Sequence, residues 1–384
     1  MPLFLRKKGV KPYMRRHIAR WWTVAVPALA LVALALTWGR SVSALTGGLL
    51  ALLLAGAVLA AVHHAEVIAH RVGEPFGSLV LAVAVTVIEV ALIVSLMLTG
   101  GEKTASLARD TVFAAVMITC NGIVGLSLLS GTLRRRVAVF NAEGTGGALA
   151  TVATLSTLSL VLPSFTTSAR GPAFSPAQLG FAAVVSLGMY GLFVLTQTVR
   201  HRDYFLPVAT PHTEAAARKA AEDGAEEHAP RPSGRTALAS LGLLLVALVS
   251  VVGLAKVESP IIELAVANAG LPQAVVGVVI ALLVLLPETI AAVRAARRDQ
   301  IQISLNLALG SAMASIGLTI PAIAVVSIWL EGPLVLGLGG THMVLLALTV
   351  AVSTLTVVPG RATLLQSGVH LGLFAAFLFL AISP

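Results

Sequence analysis

Two glutamates, Glu89 and Glu288, each fall in the middle of a long apolar stretch, residues 77–98 and 271–293. No Lys or Arg sits at the centre of any apolar stretch in the chain, so neither acid has an evident basic partner within a membrane. A carboxylate at mid-bilayer costs about 2.5–3.5 kcal/mol on insertion scales and is rarely kept without a role. The counter-charge then has to come from solution, as protons or as a metal cation. Thr86 stands three residues before Glu89 and shares its helix face. Pro287 and Thr289 flank Glu288, where Ile88 replaces the proline in the first stretch. Proline removes a backbone donor and disturbs the carbonyl one turn earlier, and carbonyl oxygens exposed in this way can ligate a hard cation. These residue types point to a carboxylate site that exchanges a cation for protons.

The elements that carry them read as membrane helices. Hydrophobic residues make up 57% of the chain and charged residues only 11%, against about a quarter charged in a soluble domain. Eleven stretches are long enough to cross a bilayer, at 22–38, 44–63, 77–98, 110–130, 146–163, 176–198, 236–254, 271–293, 302–330, 341–358 and 363–382. Backbone polar groups must be satisfied within each one, so all are expected to be helices. With the N-terminus in the cytoplasm and strict alternation, 21 of the 26 basic residues fall on the cytoplasmic side. That bias predicts a bacterial-type inner-membrane protein with its C-terminus outside. The net charge of +9 therefore reports topology, and no single basic patch suggests nucleic acid. The first span has small residues after it at 41–44, as a signal peptide would, but the basic leader is long and the second span follows at once, so cleavage is not expected. Cys120, the single cysteine, lies inside a span and reads as a small packing residue.

The only long polar stretch, 200–235, divides the ten later spans into five and five. This gives a basic N-terminus with one helix (1–43), a first five-helix unit (44–199), a linker (200–235) and a second five-helix unit (236–384). Each unit runs in the same order: a first helix, the helix with its glutamate, a turn ending Arg109-Asp110 or Arg298-Asp299, and a helix with small polar residues. Five spans is an odd number, so the second unit enters the membrane upside down. Inverted-topology repeats place ion sites near the midplane, where the halves meet.

Further oxygens are available on the helices after the turns. Asn121, Gly122 and Gly125 lie on one; Ser304, Asn306, Gly310, Ser311 and Ser315 lie on the other. Small residues also permit close helix packing, which is the competing role for several of them. His63, His64, Glu66 and His70 cluster at the cytoplasmic end of the second span, as a pH-sensing mouth or as a solvated interfacial group. His342 and His370 lie in the last two spans and read as core histidines. The linker, with Glu214, Glu222, Asp223, Glu226 and Glu227, is either a solvated connector or a segment that gathers cations. Trp21, Trp22 and Trp38 bracket the first span as interfacial anchors.

Taken together, the stretches Gly73–Gly77 through Val85–Ala91, and Leu286–Ile290 through Asn306 and Gly310-Ser311, resemble the calcium/cation antiporter superfamily, and within it the ChaA-type calcium/proton antiporters. The resemblance implies a ten-helix core of two inverted repeats and cation efflux coupled to proton influx. It implies Glu89 and Glu288 as the groups that bind cation or protons, with neutral oxygens from the helices bearing Asn121 and Ser311, and Thr86 and Thr289 beside the acids. No proline precedes Glu89 and no Asn soon follows Gly310-Ser311, which speaks against a sodium-driven exchanger with several ion sites.

Charge gives the expected mechanism. Two ionised carboxylates are neutralised by one Ca²⁺ or by two protons, whereas Na⁺ or K⁺ requires one acid to stay protonated. The expected substrates are therefore Ca²⁺, or alternatively Na⁺ or K⁺, together with H⁺, and no cofactor is implied. An intramembrane enzyme is disfavoured: there is no His-Glu-x-x-His motif, and Cys120 has no evident base.

Overall fold

The computed structural model describes residues 12–40, 42–73, 76–100, 104–208, 232–329 and 334–384. The leader before residue 12, Glu74 and Pro75 ahead of the third helix, and linker residues 209–231 lie outside the described residues. The rest is nearly all helix: α1 Pro12–Thr37, α2 Ala44–Val72, α3 Phe76–Gly100, α4 Leu107–Arg135, α5 Ala142–Ser164, α6 Pro176–Arg200, α7 Gly234–Asn268, α8 Ala274–Val284, α9 Leu286–Arg297, α10 Ile301–Val326, α11 Gly340–Val357 and α12 Leu364–Ile382. Among the described residues, nine helices are long and apolar enough to cross a membrane, and α8 with α9 forms a bent tenth. α1 adds a shorter apolar stretch over Trp21–Thr37.

The helices of the two halves trade places. α3 lies on α10 of the other half, and α8 and α9 lie on α4. α6 packs along α10 just as α12 packs along α4, and the two leading helices, α2 and α7, pack on each other with α1 against both. This reciprocity is what a pseudo-twofold axis in the membrane plane produces. The protein is an all-α membrane protein of one extra helix and two inverted five-helix repeats. α4 and α10 occupy the centre: their faces supply much of one apolar core, from Val112 and Phe113 through Leu128 to Leu305 and Ile320. α1, α2, α3, α7 and α8 close a second core around Ala57, Ile88, Leu92 and Val251.

Connections collect on two faces. On one, Arg135 Nη2 is 2.6 Å from Asp299 Oδ2. There, a short strand β1 (Val137–Val139) pairs antiparallel with β2 (Arg361–Thr363), and the Asn141 amide donates to Gln302 Oε1 at 2.7 Å. On the other face, the Val335 amide donates to the Ala105 carbonyl and the Gly337 amide to that of Pro172, while Arg109, paired with Asp110 at 2.8 Å, reaches the Gly337 carbonyl at 3.2 Å. The ends of α4, α9 and α11 thus meet on one face, with their arginines, and the starts of α4 and α11 meet on the other, as strict alternation requires. Asp110 and Asp299 hold equivalent places in the two halves, but Asp299 takes its arginine from α4 and not from its neighbour Arg298.

Two departures from the expected spans bear on the site. α7 continues from the expected 236–254 to Asn268 and is 35 residues long, about 52 Å at 1.5 Å per residue. Its far end packs on the first turn of α2, where Ile261 covers Gly47, and that contact carries the helix through Lys256-Val257-Glu258-Ser259-Pro260. The eighth span is two helices joined at Leu285 with a bend of 52°. Pro287 lies in the first turn of α9 and cannot donate back to the preceding turn, so α8 ends there.

Close packing depends on glycine where helices cross. A Cβ at Gly277 of α8 would stand 3.0 Å from the Thr111 amide nitrogen and 3.1 Å from the Asp110 carbonyl carbon. Gly277→Val must push α8 off the backbone of α4. The expected result is a loss of about 1–3 kcal/mol, read as a lower midpoint for thermal unfolding in detergent; an unchanged midpoint contradicts the contact.

Candidate functional site

A cavity of about 330 Å³ lies between α3, α6, α9 and α10. Its walls are the first half of α3 (Leu81 to Glu89), the second half of α6 (Tyr190 to Gln197) and the first half of α10 (Ile303 to Ser315). Each of these half-helices ends on the arginine-rich face. The cavity therefore extends from the middle of these helices toward that face.

Glu89 and Glu288 close its inner end, one from each repeat. Glu89 is only 2% exposed. Its Oε2 accepts a hydrogen bond from Ser315 Oγ at 3.0 Å, while Oε1 is buried with no partner. Glu288 is half-buried, and its Oε2 likewise has no partner. The two carboxylates are within electrostatic reach of each other. Glu288 stands in the first turn of α9, next to the break at Leu285, where unsatisfied backbone donors favour negative charge. Two carboxylates at the inner end of one cavity, each with a buried oxygen that has no partner, are a costly arrangement unless cations or protons meet them.

Neutral oxygens complete the surroundings. Thr86 and Ser311 line the cavity, and Gly310 beside Ser311 leaves open space in front of its backbone. Asn306 lines the outer part, with its amide donating to the Phe205 carbonyl at 2.7 Å and accepting from Gln302 at 2.9 Å. Thr289 does not line the cavity; its hydroxyl donates to the Leu285 carbonyl at 2.7 Å and so caps the broken turn. Ser304 faces away, with its Oγ 2.6 Å from Ser127 Oγ and 2.7 Å from the Ala292 carbonyl oxygen.

Asn121 occupies a π-helical turn of α4, Ile118–Ile123, and is fully buried. It donates to Thr349 Oγ1 at 2.9 Å, and its Oδ1 is 3.2 Å from His370 Nδ1, whose Nε2 is 3.1 Å from Thr356 Oγ1. A buried polar network thus joins α4 to α11 and α12, turned away from the cavity that Ser311 faces. His370 is a satisfied core histidine, and the His342 ring lies 4.8 Å from that of Phe113, tilted by 35°.

The group at the arginine-rich end of α2 divides in two. His64 Nε2 is 2.9 Å from the Thr23 carbonyl, and the His63 ring is 6.4 Å from that of Trp22. Both histidines hold α1. Glu66 and His70 are exposed, and Glu66 is within electrostatic reach of Arg294 and Glu288. The sequence reading missed the α6 wall, Tyr190, Phe193 and Gln197, and gave Ser315 no distinct role at Glu89. No local signal marks the α6 residues, because an apolar span shows its cavity face only through its neighbours.

Fold and cavity define a membrane exchanger of the inverted-repeat kind, and comparison with known proteins agrees. The sequence matches the family described as "Sodium/calcium exchanger protein" over residues 42–199 and 239–383. It is 46% identical over 366 residues to the "Putative ionic transporter y4hA" of Sinorhizobium fredii, covering 94% of this chain and 96% of that protein. It is 34% identical over 356 residues to the "Sodium-potassium/proton antiporter ChaA" of Escherichia coli, covering 92% and 93%. Among solved structures, the H+/Ca2+ exchanger CAX superposes with a TM-score of 0.69 over 96% of this chain and 89% of its own, and native YfkE with 0.67 over 95% and 99%, each at 16% identity. The chain belongs to the sodium/calcium exchanger family of cation antiporters.

Proposed function

We propose that this protein exports cations in exchange for protons by alternating access at a single site formed by Glu89 and Glu288. The observation that carries the reading is the pairing itself: one carboxylate from each inverted repeat, each with an unpartnered oxygen, at the inner end of one cavity. A site that crosses the membrane only when neutral carries either the cation or its protons, and never leaves empty and charged. Ca²⁺ matches both charges and takes six to eight oxygens at about 2.3–2.6 Å, which the two acids, Thr86, Ser311 and water supply in number. The name of the relative from Escherichia coli supports a second reading on the same site, in which Na⁺ or K⁺ binds one carboxylate while the other stays protonated.

Proteoliposomes holding Ca²⁺, Na⁺ or K⁺ singly test both readings. An imposed pH gradient is expected to drive cation flux, and the cation, added alone, to move protons the other way. Cation flux without proton movement sinks the antiport mechanism; Na⁺ flux with no Ca²⁺ flux selects the second reading.

The arginine-rich face is the cytoplasmic one in this proposal, so the cavity opens inward, with the chain in the inner membrane, its N-terminus in the cytoplasm and its C-terminus outside. Cysteines placed singly at Ser233 and Ser383 are expected to react differently with an impermeant maleimide on intact cells: Ser383→Cys is labelled and Ser233→Cys is not. The reverse pattern turns the protein over, and equal labelling refutes the odd number of spans.

A further inference from the structure

The membrane holds a third carboxylate that the two-glutamate site does not use. Glu258 of α7 is 2% exposed, and its Oε1 has no hydrogen-bond partner. It continues the buried stripe of α7 formed by Leu244, Ala247, Val251 and Leu254, on the helix that packs chiefly against α1, α2 and α3, with α8 beside it. Its depth is fixed by the next turn, where Ile261 meets Gly47 at the start of α2. Glu258 therefore lies on the side opposite the cavity, between Glu89 and the outer face. Along α3, the next polar side chain outward from Glu89 is Ser95, which is buried and stands about 9 Å further out at 1.5 Å per residue.

Among the described residues, the groups around it offer no counter-charge. The facing halves of α2 and α3 and the whole of α8 contain no Asp, Glu, His, Lys or Arg other than Glu89. Lys256 of α7 turns outward, with its Nζ 5.3 Å from the centroid of the Trp38 ring. Arg109 and Asp110 at the start of α4 pair with each other. Arg40 is exposed beyond the end of α1, and Glu263 follows on α7 more than a turn further out. An ionised carboxylate enclosed in this way is unfavourable unless a cation or proton accompanies it.

We propose that Glu258 is the outer proton acceptor of the exchanger, a carboxylate that takes up a proton from the external side and passes it inward to the Glu89–Glu288 site. The proton leaves water at the outer face and bonds to a carboxylate oxygen of Glu258, making it a neutral acid. On transfer to Glu89, Glu258 becomes a carboxylate again and is ready for the next proton. The present conformation, with its cavity open to the opposite face, has Glu258 sealed from both solutions, as a proton-loaded group must be while the cation site faces inward. This role rests on the proposed cation/proton antiport.

The test uses right-side-out membrane vesicles of the full chain, loaded with ⁴⁵Ca²⁺ or ²²Na⁺, at fixed internal pH and a series of external pH values. Wild-type efflux is expected to accelerate as the external pH falls. Glu258→Gln is expected to flatten that dependence and slow proton-driven efflux by at least about tenfold. Isotope self-exchange at equal pH, which needs no proton, stays within about twofold of wild type, and Glu258→Asp keeps the pH response. A wild-type pH profile in Glu258→Gln overturns the proposal. So does a parallel fall in self-exchange, which marks a structural role. If the wild-type protein itself shows no proton-driven efflux, the antiport reading fails first and takes this inference with it.

Discussion

Glu89→Gln and Glu288→Gln are each expected to abolish proton-driven cation exchange in proteoliposomes while leaving expression and folding intact. Each acid supplies half of the charge that a divalent cation meets in a desolvated site. Removing one partner from a buried charge pair costs about 3–5 kcal/mol, which is more than a hundredfold in affinity. Glutamine keeps the size and the hydrogen bond at position 89, because the Ser315 hydroxyl can donate to an amide oxygen as it does to Oε2. Loss of activity would then report charge and not misfolding. Ser315→Ala is the graded control: it removes one hydrogen bond, worth about 1 kcal/mol, and is expected to weaken cation affinity only about fivefold. Wild-type exchange in either Gln variant removes that glutamate from the site.

The second large effect is competition. Protons and the cation are proposed to bind the same oxygens, so acid on the loading side has to be outcompeted by cation. The apparent KM for Ca²⁺ is expected to rise about tenfold per unit fall in pH for each proton displaced, while the maximal rate moves little. Na⁺ displaces one proton instead of two, so its curve is expected to be shallower. Initial rates in proteoliposomes across a pH series, with each ion alone, give both slopes. A KM independent of pH rules out a shared site, and a maximal rate that falls while KM holds assigns the titration to a step other than binding.

The parts of this molecule that were legible in the sequence are those set by single residues of high cost. Glu89 and Glu288 stand out because a carboxylate in an apolar run is expensive wherever it points, and Pro287 broke its helix at Leu285 because its missing N–H acts locally. The faces of the helices were less legible. Asn121 sits on the expected helix, but a π turn adds a residue there and rotates the side chains by about 100°, so it meets Thr349 and His370 and not the cavity. Glu258 was hidden for another reason. Lys256, Glu258, Ser259 and Pro260 in succession read as the end of a span, and only the contact of Ile261 with α2 shows that the helix continues around them.

The three-residue strands β1 and β2 bear on how such a machine moves. Their pairing, Val137 with Thr363 through Val139 with Arg361, stitches the end of α4 in one repeat to the α11–α12 turn in the other. Arg135 adds a clasp to Asp299 beside it. Helices sewn together at their ends cannot slide past one another there, so α4, α11 and α12 travel as one block. The cavity wall has no such seam with them: α3 and α6 contribute no strand and reach α10 through side chains. In the alternating access proposed above, the sewn block is expected to serve as the frame, and the rearrangement to fall on helices outside it, α3 and α6 among them.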